Sequence, residues 1–465
     1  MNLSGEITVA GVAPKHRHLR AGKTRDYSVV LENIDVLTMK KGVRMAMDNS
    51  AITKPHLPWA GKKVSQECVE EELSTLWHLA ADNMRISQNM NVRASVLNFV
   101  ICAQDEKSAY KASMLLRDLS STHIARVTLL ILDPRNDSPD GVSTWITLRS
   151  FPIVSDVMRH HFEQVSVTIH GKAVQYVDSI VQTLLKPDLP VYLWWLNDLP
   201  EKQEIFRRLI KISTRVLIDS SHFSHPEEQI RAVSTILQET ATQSALSDLN
   251  WGRVTAWREL IAQFFDVADY RPYLMGIDTI TIEHAVAPAN QTQATPPNPI
   301  SALLLAAWLK TRLGWQLSDN PSDNHHDTQT SSYGWHMHAR DMTKVVTQPI
   351  QGSANGNHIS TPLHGIAISI QPREVSDSLP GTICLVRLAG STHGKHATFT
   401  IERCDDDDHV LTSVVLPEST RPPRTVSIAA THKESDLLHS ELEITGRDYL
   451  YEEALHEVFA LLGSK

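Results

Sequence analysis

Residues 95–103 read Ser-Val-Leu-Asn-Phe-Val-Ile-Cys-Ala, and residues 126–133 read Arg-Val-Thr-Leu-Leu-Ile-Leu-Asp. Both are nearly unbroken runs of apolar and β-branched side chains, each shorter than an ordinary helix. A strand with one face in water alternates apolar and polar residues, so these runs predict strands covered on both faces. Between them Ala112, Leu115, Leu116 and Leu119 recur at helical spacing. Strand, helix, strand in that order implies a parallel pair joined by a right-handed crossover.

The same alternation extends in both directions. Upstream, Val69, Leu73, Leu76, Trp77, Ala80 and Met84 form the apolar stripe of a helix over 68–84. Downstream, Asp133-Pro134 and the cluster Asn136, Asp137, Pro139 and Gly141 predict a loop. A strand follows at 163–170, then a helix carrying Val177, Ile180, Val181, Leu184 and Leu185, and a strand at Val191–Leu196 opened by Pro190. A helix over about 201–212, a strand at 215–219 and a helix from Glu227 continue the pattern. From Trp251, the residues Val254, Trp257, Leu260, Ile261 and Phe264 share one face of a further helix. The expectation is an α/β domain with a mostly parallel sheet over residues 1–275, its first 60 residues partly irregular.

Past residue 275 the texture changes. A strand near 276–284 leads into a Pro-rich polar stretch (APANQTQATPPNP), a helix over 300–313 and a second polar stretch from 318. β-type runs follow at about 364–371, 382–388, 397–403, 409–416 and 425–429, and a helix over 449–462 that Asp448 can cap closes the chain. This predicts an α+β domain over 276–465 with an antiparallel sheet and polar loops near 285–299 and 316–332. A chain of 465 residues exceeds the roughly 250 to 300 that one core supports, which agrees with two domains.

The composition narrows the function. With 42% hydrophobic residues the chain can fill two cores without staples. Cys68, Cys102, Cys384 and Cys404 are scattered and form no CxxC pair, which fits a reducing, cytoplasmic setting. There is no secretory h-region and no apolar run long enough to span a bilayer. A net charge of −9 argues against a nucleic-acid partner. The basic segment Lys15, His16, Arg17, His18, Arg20, Lys23 reads as a solvated terminus or, alternatively, a docking arm for an acidic partner.

No strand is followed by GxGxxG or GxxxxGK[ST], and GxSxG, HExxH and DFG are missing too, so no catalytic or cofactor-binding residues are expected. Histidine is abundant, with His160-His161, His325-His326 and His336/His338, yet no third ligand accompanies any pair and no metal site is expected. Asp405–Asp408 lack the spacing and glycine of a calcium loop and read as a solvated turn. Cys384 and Cys404 fall on successive strands about equally far from the loop at His393-Gly394. They read as structural thiols or, alternatively, as a redox-switchable pair.

Trp194, Trp195, Trp251 and Trp257, with Arg258 beside them, admit two readings: core packing, or anchors for a protein partner. A rival to any partner role is a sugar-phosphate-binding or hydrolysing protein using Asp198, Asp219, Ser220 and His222 at the sheet's carboxyl edge.

The segments VRASVLNFV (92–100), RVTLLIL (126–132), QVSVTIHG (164–171), PDLPVYLWW (187–195), RVLIDSSHF (215–223) and DLNWGRVTAWRELIAQFF (248–265) lie in this order along the chain. Together they resemble the OpcA family, the assembly proteins or allosteric activators of bacterial glucose-6-phosphate dehydrogenase. Echoes follow in WLKTRLGW (308–315) and DYLYEEAL (448–455). The resemblance implies a non-catalytic protein, without cofactor, that binds glucose-6-phosphate dehydrogenase and shifts it toward an active assembly or conformation. Nothing in the sequence specifies self-association.

Overall fold

The apolar runs at 95–103 and 126–133 lie side by side as parallel strands, with Leu97 opposite Ala125 and Ala103 opposite Ile131. The structure is a computed structural model. It describes residues 61–463 with short interruptions, the longest being 289–296 and 340–364. The basic segment at 15–23 therefore lies outside the described residues.

The first half comprises β1 (Lys62–Val64), α1 (Val69–Ser87), β2 (Met90–Val92), β3 (Leu97–Ala103), α2 (Glu106–Leu119), β4 (Ala125–Asp133), β5 (Gly141–Val154), β6 (Met158–His170), α3 (Val177–Gln182), β7 (Val191–Trp195), α4 (Glu204–Lys211), β8 (Arg215–Ile218), α5 (Pro226–Thr240) and β9 (Ala245–Asp248). These strands form one sheet in the order β1-β5-β6-β4-β3-β7-β8-β9, with β2 on β6. The six strands from β6 to β9 run parallel, while β5 and β1 add an antiparallel edge. Every residue of β3 and β7 is buried, which is why those segments read as continuous apolar runs.

The second half continues with α6 (Leu249–Arg253), α7 (Thr255–Asp266), α8 (Arg271–Leu274), β10 (Ile277–Val286), α9 (Ile300–Leu313), β11 (Trp315–Leu317), β12 (His325–Asp327), β13 (Ser332–Ala339), β14 (Gly365–Glu374), β15 (Ile383–Thr392), β16 (Lys395–Arg403), β17 (His409–Leu416), β18 (Ser419–Ser427), α10 (Glu434–Glu443) and α11 (Tyr449–Leu461). Its sheet has the order β11-β13-β14-β10-β15-β16-β17-β18, with β12 on β13. All its pairings are antiparallel except β10 with β14. The chain is thus an α/β domain with a mostly parallel sheet followed by a domain with a mostly antiparallel one.

One face of the second sheet, carrying Ile280, Ile282, Val386, Leu388, Phe399 and Ile401, packs on α7, α8 and α9. Phe399 is the hub, with the rings of Phe264, Phe265, Tyr270 and Tyr273 at 5.1–6.2 Å. The helix α9 is buried nearly all round and stops at Gly314, whose φ of 66° only glycine takes without strain.

The end of the chain does not stay with its own sheet. α10 returns to the first domain and lies against α2 and α6, where Leu437, Leu438 and Leu442 join the core of Phe99, Ile101, Leu129 and Trp194. Gly252 leaves room for it: a Cβ there would stand 2.8 Å from Leu437 Cδ2, and that side chain would have to turn aside. α11 then packs between α9 and α5. The described residues from 61 to 463 accordingly form one compact unit.

Several elements depart from the expectation. β5 occupies what read as the far side of a loop, β9 is too short to register, and α10 buries few side chains. The polar stretch at 316–332 holds β11 and β12, strands with largely exposed residues held by pairing to β13. The helix from Trp251 is two helices, broken at Val254. Among the described residues, no helix is long and apolar enough to cross a membrane.

Candidate functional site: the carboxyl edge of the parallel sheet

From β6 to β9 the order β6-β4-β3-β7-β8-β9 is, in chain sequence, the 3-2-1-4-5-6 order of a dinucleotide-binding sheet. In such sheets a ligand enters at the carboxyl ends where the winding reverses, here between β3 and β7. The turn after the first strand would carry glycines and lay a pyrophosphate on the following helix N-terminus. In this chain the turn is Gln104-Asp105-Glu106-Lys107-Ser108. Asp105 Oδ1 accepts the Ser108 N–H at 2.7 Å and so caps α2 with its own carboxylate. Glu106 adds a second negative charge in the first turn. Across the crevice, Gln104 Nε2 donates to the Asp198 carbonyl, and Leu196 N donates to the Cys102 carbonyl at 3.0 Å. An anion arriving here would meet a carboxylate where an N–H cradle would otherwise be.

Farther along the same edge, Asp219 ends β8 and Asp248 ends β9, forming a buried joint with the second half of the chain. Arg253 of α6 grips Asp219 with both terminal nitrogens, at 2.7 and 2.8 Å. His222 Nδ1 lies 3.0 Å from the other side of the same carboxylate. Burial works to raise the Asp219 pKa, but Arg253 and His222 prevail and hold it well below the usual carboxylate range. Asp248 accepts from Ser220 N at 3.0 Å and Asn250 N at 2.9 Å, and Tyr451 Oη of α11 donates to it at 3.3 Å. Burial, with the Asp219 charge nearby, pushes Asp248 up to about 6.

Asn298 Nδ2 donates to the Ser220 carbonyl at 2.9 Å, and Ser301 Oγ donates to Asn250 Oδ1 at 2.8 Å, which ties the start of α9 to the same point. Glu441 of α10 lies nearby, opposite Arg215 and Ser247, and burial raises it to about 7.

The residues proposed for a sugar-phosphate site do converge on this edge, but they are spent on each other. Asp198 accepts the Ser224 N–H at 2.8 Å, and Ser220 is wholly buried with its Oγ accepting from Asn250. Ser221 Oγ donates to Asp219 at 2.6 Å, lies 3.2 Å from His222 Nδ1 and accepts from Arg253 Nη1 at 3.0 Å, so this hydroxyl is tied into the Asp219 cluster.

The candidate anchors sit in the core. Trp194, Trp195, Trp251 and Trp257 are between 0% and 3% exposed. Trp194 stacks on Phe99, and Trp195 donates to the Asp198 carbonyl at 3.0 Å. Trp251 Nε1 donates to Asp448 Oδ2 at 2.7 Å, while Arg258 lies over its ring at 3.5 Å, where burial lowers the guanidinium to about 10. Trp257 is buried beneath the Arg403 guanidinium. A partner could reach these indoles only by opening the fold; the readable part of the signal was aromatic content, which core and interface share.

Cys384 lies buried in β15 and Cys404 follows β16, its neighbour. Both stand as thiols, and Cys384 Sγ donates to the Thr382 carbonyl at 3.5 Å. His336 and His338 flank the buried Met337 on β13, as strand alternation requires. No cluster of three or more metal-ligating side chains occurs among the described residues. His160 and His161 fall within β6, with their side chains outside the described part.

Two family models cover most of the chain. The glucose-6-phosphate dehydrogenase subunit N-terminal domain matches residues 116–235, and the corresponding C-terminal domain matches 244–455. The chain belongs to the OpcA family. Among curated relatives, the OxPP cycle protein OpcA of Synechococcus elongatus is 35% identical over 154 residues, covering 32% of this chain and 32% of that protein. Its counterpart in Nostoc punctiforme is 30% identical over 154 residues, covering 33% of this chain and 30% of the relative. The chain thus spans about a third of the length of these OpcA relatives. Among solved structures, levoglucosan dehydrogenase in its apo form is 10% identical with a TM-score of 0.39, covering 78% of this chain and 88% of that one. An oxidoreductase domain protein from Kribbella flavida is 8% identical with a TM-score of 0.41, covering 79% and 96%. Likeness that distant adds nothing to the topology described above.

Proposed function

We propose that this OpcA-family chain is a non-catalytic cytoplasmic partner of glucose-6-phosphate dehydrogenase, promoting its active assembly or conformation in the oxidative pentose phosphate pathway. The carrying observation is the turn after β3, where Asp105 caps α2 with a carboxylate at the position that a dinucleotide's pyrophosphate takes in sheets of this order. The fold keeps the frame of a cofactor-binding domain and fills its anion site with negative charge. The polar groups farther along the edge are engaged in joining the two halves of the chain, which suits a scaffold whose surface does the work. Both family models bear the dehydrogenase's name as a subunit, which supports that enzyme as the partner.

An activator must bind the active form of its partner more tightly than the inactive one, and a tenfold preference needs about 1.4 kcal/mol. The test is dehydrogenase activity, with the enzyme from the same organism, titrated with this protein across substrate concentrations. A saturable fall in KM or rise in kcat is expected, with no turnover by this protein alone. No kinetic effect, together with size-exclusion profiles of two separate species, would overturn the reading.

A further inference from the structure

All helices that pack on the antiparallel sheet lie on its inner face, and among the described residues no element covers the outer one. Cross-strand register sorts the outer side chains into three rows. The first, Ala367, Thr279, Ala389, Thr398 and Val415, is small and uncharged from β14 to β17. The second sets Arg387 between Thr281 and Thr400. In the third, Leu385 lies between Glu283 and Glu402, and Arg373 reaches across it with Nη1 3.5 Å from Glu283 and 3.0 Å from Glu402. Val415, near the end of β17 and paired with Thr398 and Thr420, is 49% exposed.

We propose that this outer face is the surface on which two copies of the chain pack, sheet against sheet. Two observations favour a second copy. The first is charge: Arg373 and Arg387 balance Glu283 and Glu402, so the face is neutral on a chain of net charge −9. A neutral face can lie on itself without gathering like charges, whereas a face steered to a different partner gains from carrying one sign. The second is size. The six strands from β13 to β17 in this sheet, at ~4.8 Å spacing and ~3.3 Å per residue, present roughly 850 Å². A stable interface buries about 800 Å² on each partner. Threonine and alanine in the central rows keep the surface flat enough for two sheets to approach to the usual ~10 Å.

The proposal goes beyond the partnership with the dehydrogenase and is tested separately from it. Sedimentation equilibrium of the full chain, from sub-micromolar to tens of micromolar, is expected to give twice the 52.0 kDa chain mass. Thr400→Arg sets a second cation beside Arg387 at the centre of the face and is expected to weaken self-association at least about tenfold. Its circular dichroism, and its melting curve at concentrations where both proteins are monomeric, should match the wild type, because the side chain points away from the core. Thr398→Cys, treated with a short bismaleimide, should give a band at twice the chain mass. A wild-type monomer throughout the range overturns the proposal, as does a dimer indifferent to Thr400→Arg. If Thr400→Arg leaves the mass unchanged but abolishes activation of the dehydrogenase, the face belongs to the enzyme and the proposal fails while the functional reading stands.

Discussion

The two ends of the parallel sheet both bury charge, and they balance it differently. At the amino end Glu163 is 1% exposed and is surrounded by donors: Trp77 Nε1 at 2.8 Å, Lys186 Nζ at 3.0 Å and Arg126 Nε at 3.8 Å. Asn98 locks the Lys186 backbone from both sides, at 2.8 and 2.9 Å. Burial alone would raise the Glu163 pKa, but Lys186 and Arg126 outweigh it and hold the carboxyl below its ordinary value. At the carboxyl end Asp219 claims Arg253, and burial, aided by the acids beside them and opposed at Glu441 by Arg215, raises Asp248 and Glu441 toward neutrality. Matched charges, with Glu70 also pairing Arg126, make a fixed clamp inside one domain, and surplus acids make a pH-sensitive joint between two.

The largest expected effect breaks the clamp. Glu163→Gln takes the buried counter-charge from Lys186 and from Arg126, 1% exposed, leaving Arg126 only the largely exposed Glu70, and should cost about 3 kcal/mol in urea unfolding. A loss under about 1 kcal/mol would mean that water reaches the cluster and that the two ends do not differ in kind.

A smaller effect belongs to the joint. Asp248 and Glu441 have folded pKa values of about 6 and about 7, above the ordinary carboxylate range near 4. Through this window the folded chain holds more protons than the unfolded one. The contribution is therefore fully present below about pH 4 and is lost as pH rises through 6 and 7. Unfolding free energy attributable to these groups should fall by on the order of 2 kcal/mol between pH 5.5 and 8. Asp248→Asn, which keeps an oxygen for Ser220 N and Asn250 N, should flatten the profile. An unflattened profile would place the titration elsewhere.

The smallest concerns the turn at β3. Asp105→Ala removes one cap and should lower stability by about 1 kcal/mol while leaving activation of the dehydrogenase intact. Lost activation would move the working surface onto the carboxyl edge.

The sequence makes the parallel sheet legible because its central strands are buried on both faces, so SVLNFVICA and RVTLLILD carry their placement in composition alone. β13 was equally marked by Tyr333, Trp335 and Met337 in alternation, but Gly334 and the polar residues before it masked the period. β5 begins directly after a cluster of loop-forming residues. α10 shows only Leu437, Leu438, Glu441 and Leu442 to the interior, too narrow a stripe to stand out. Of the joint, only Asp219, Ser220 and His222 are legible, as polar residues at the sheet's carboxyl edge. The joint's other members come from segments far apart in the chain, and Asn250, Asn298, Ser301 and Tyr451 are ordinary residues until folding brings them together. The tryptophans show the converse limit, since their identity was conspicuous and their burial was not.

The return of α10 and α11 has a consequence for biosynthesis. Tyr192 Oη donates to the Ile444 carbonyl at 3.4 Å across 252 residues, and three leucines of α10 complete a core laid down from Leu97 onward. While the ribosome is still making the second sheet, the first domain has every strand it will use but lacks the last apolar cover of one face. Each of those leucines contributes roughly 2 kcal/mol when buried. The nascent first domain therefore carries an exposed greasy patch until the final few dozen residues emerge. Synthesis halted before Leu437 would leave a chain with a recognisable fold and a sticky side, a natural client for chaperones.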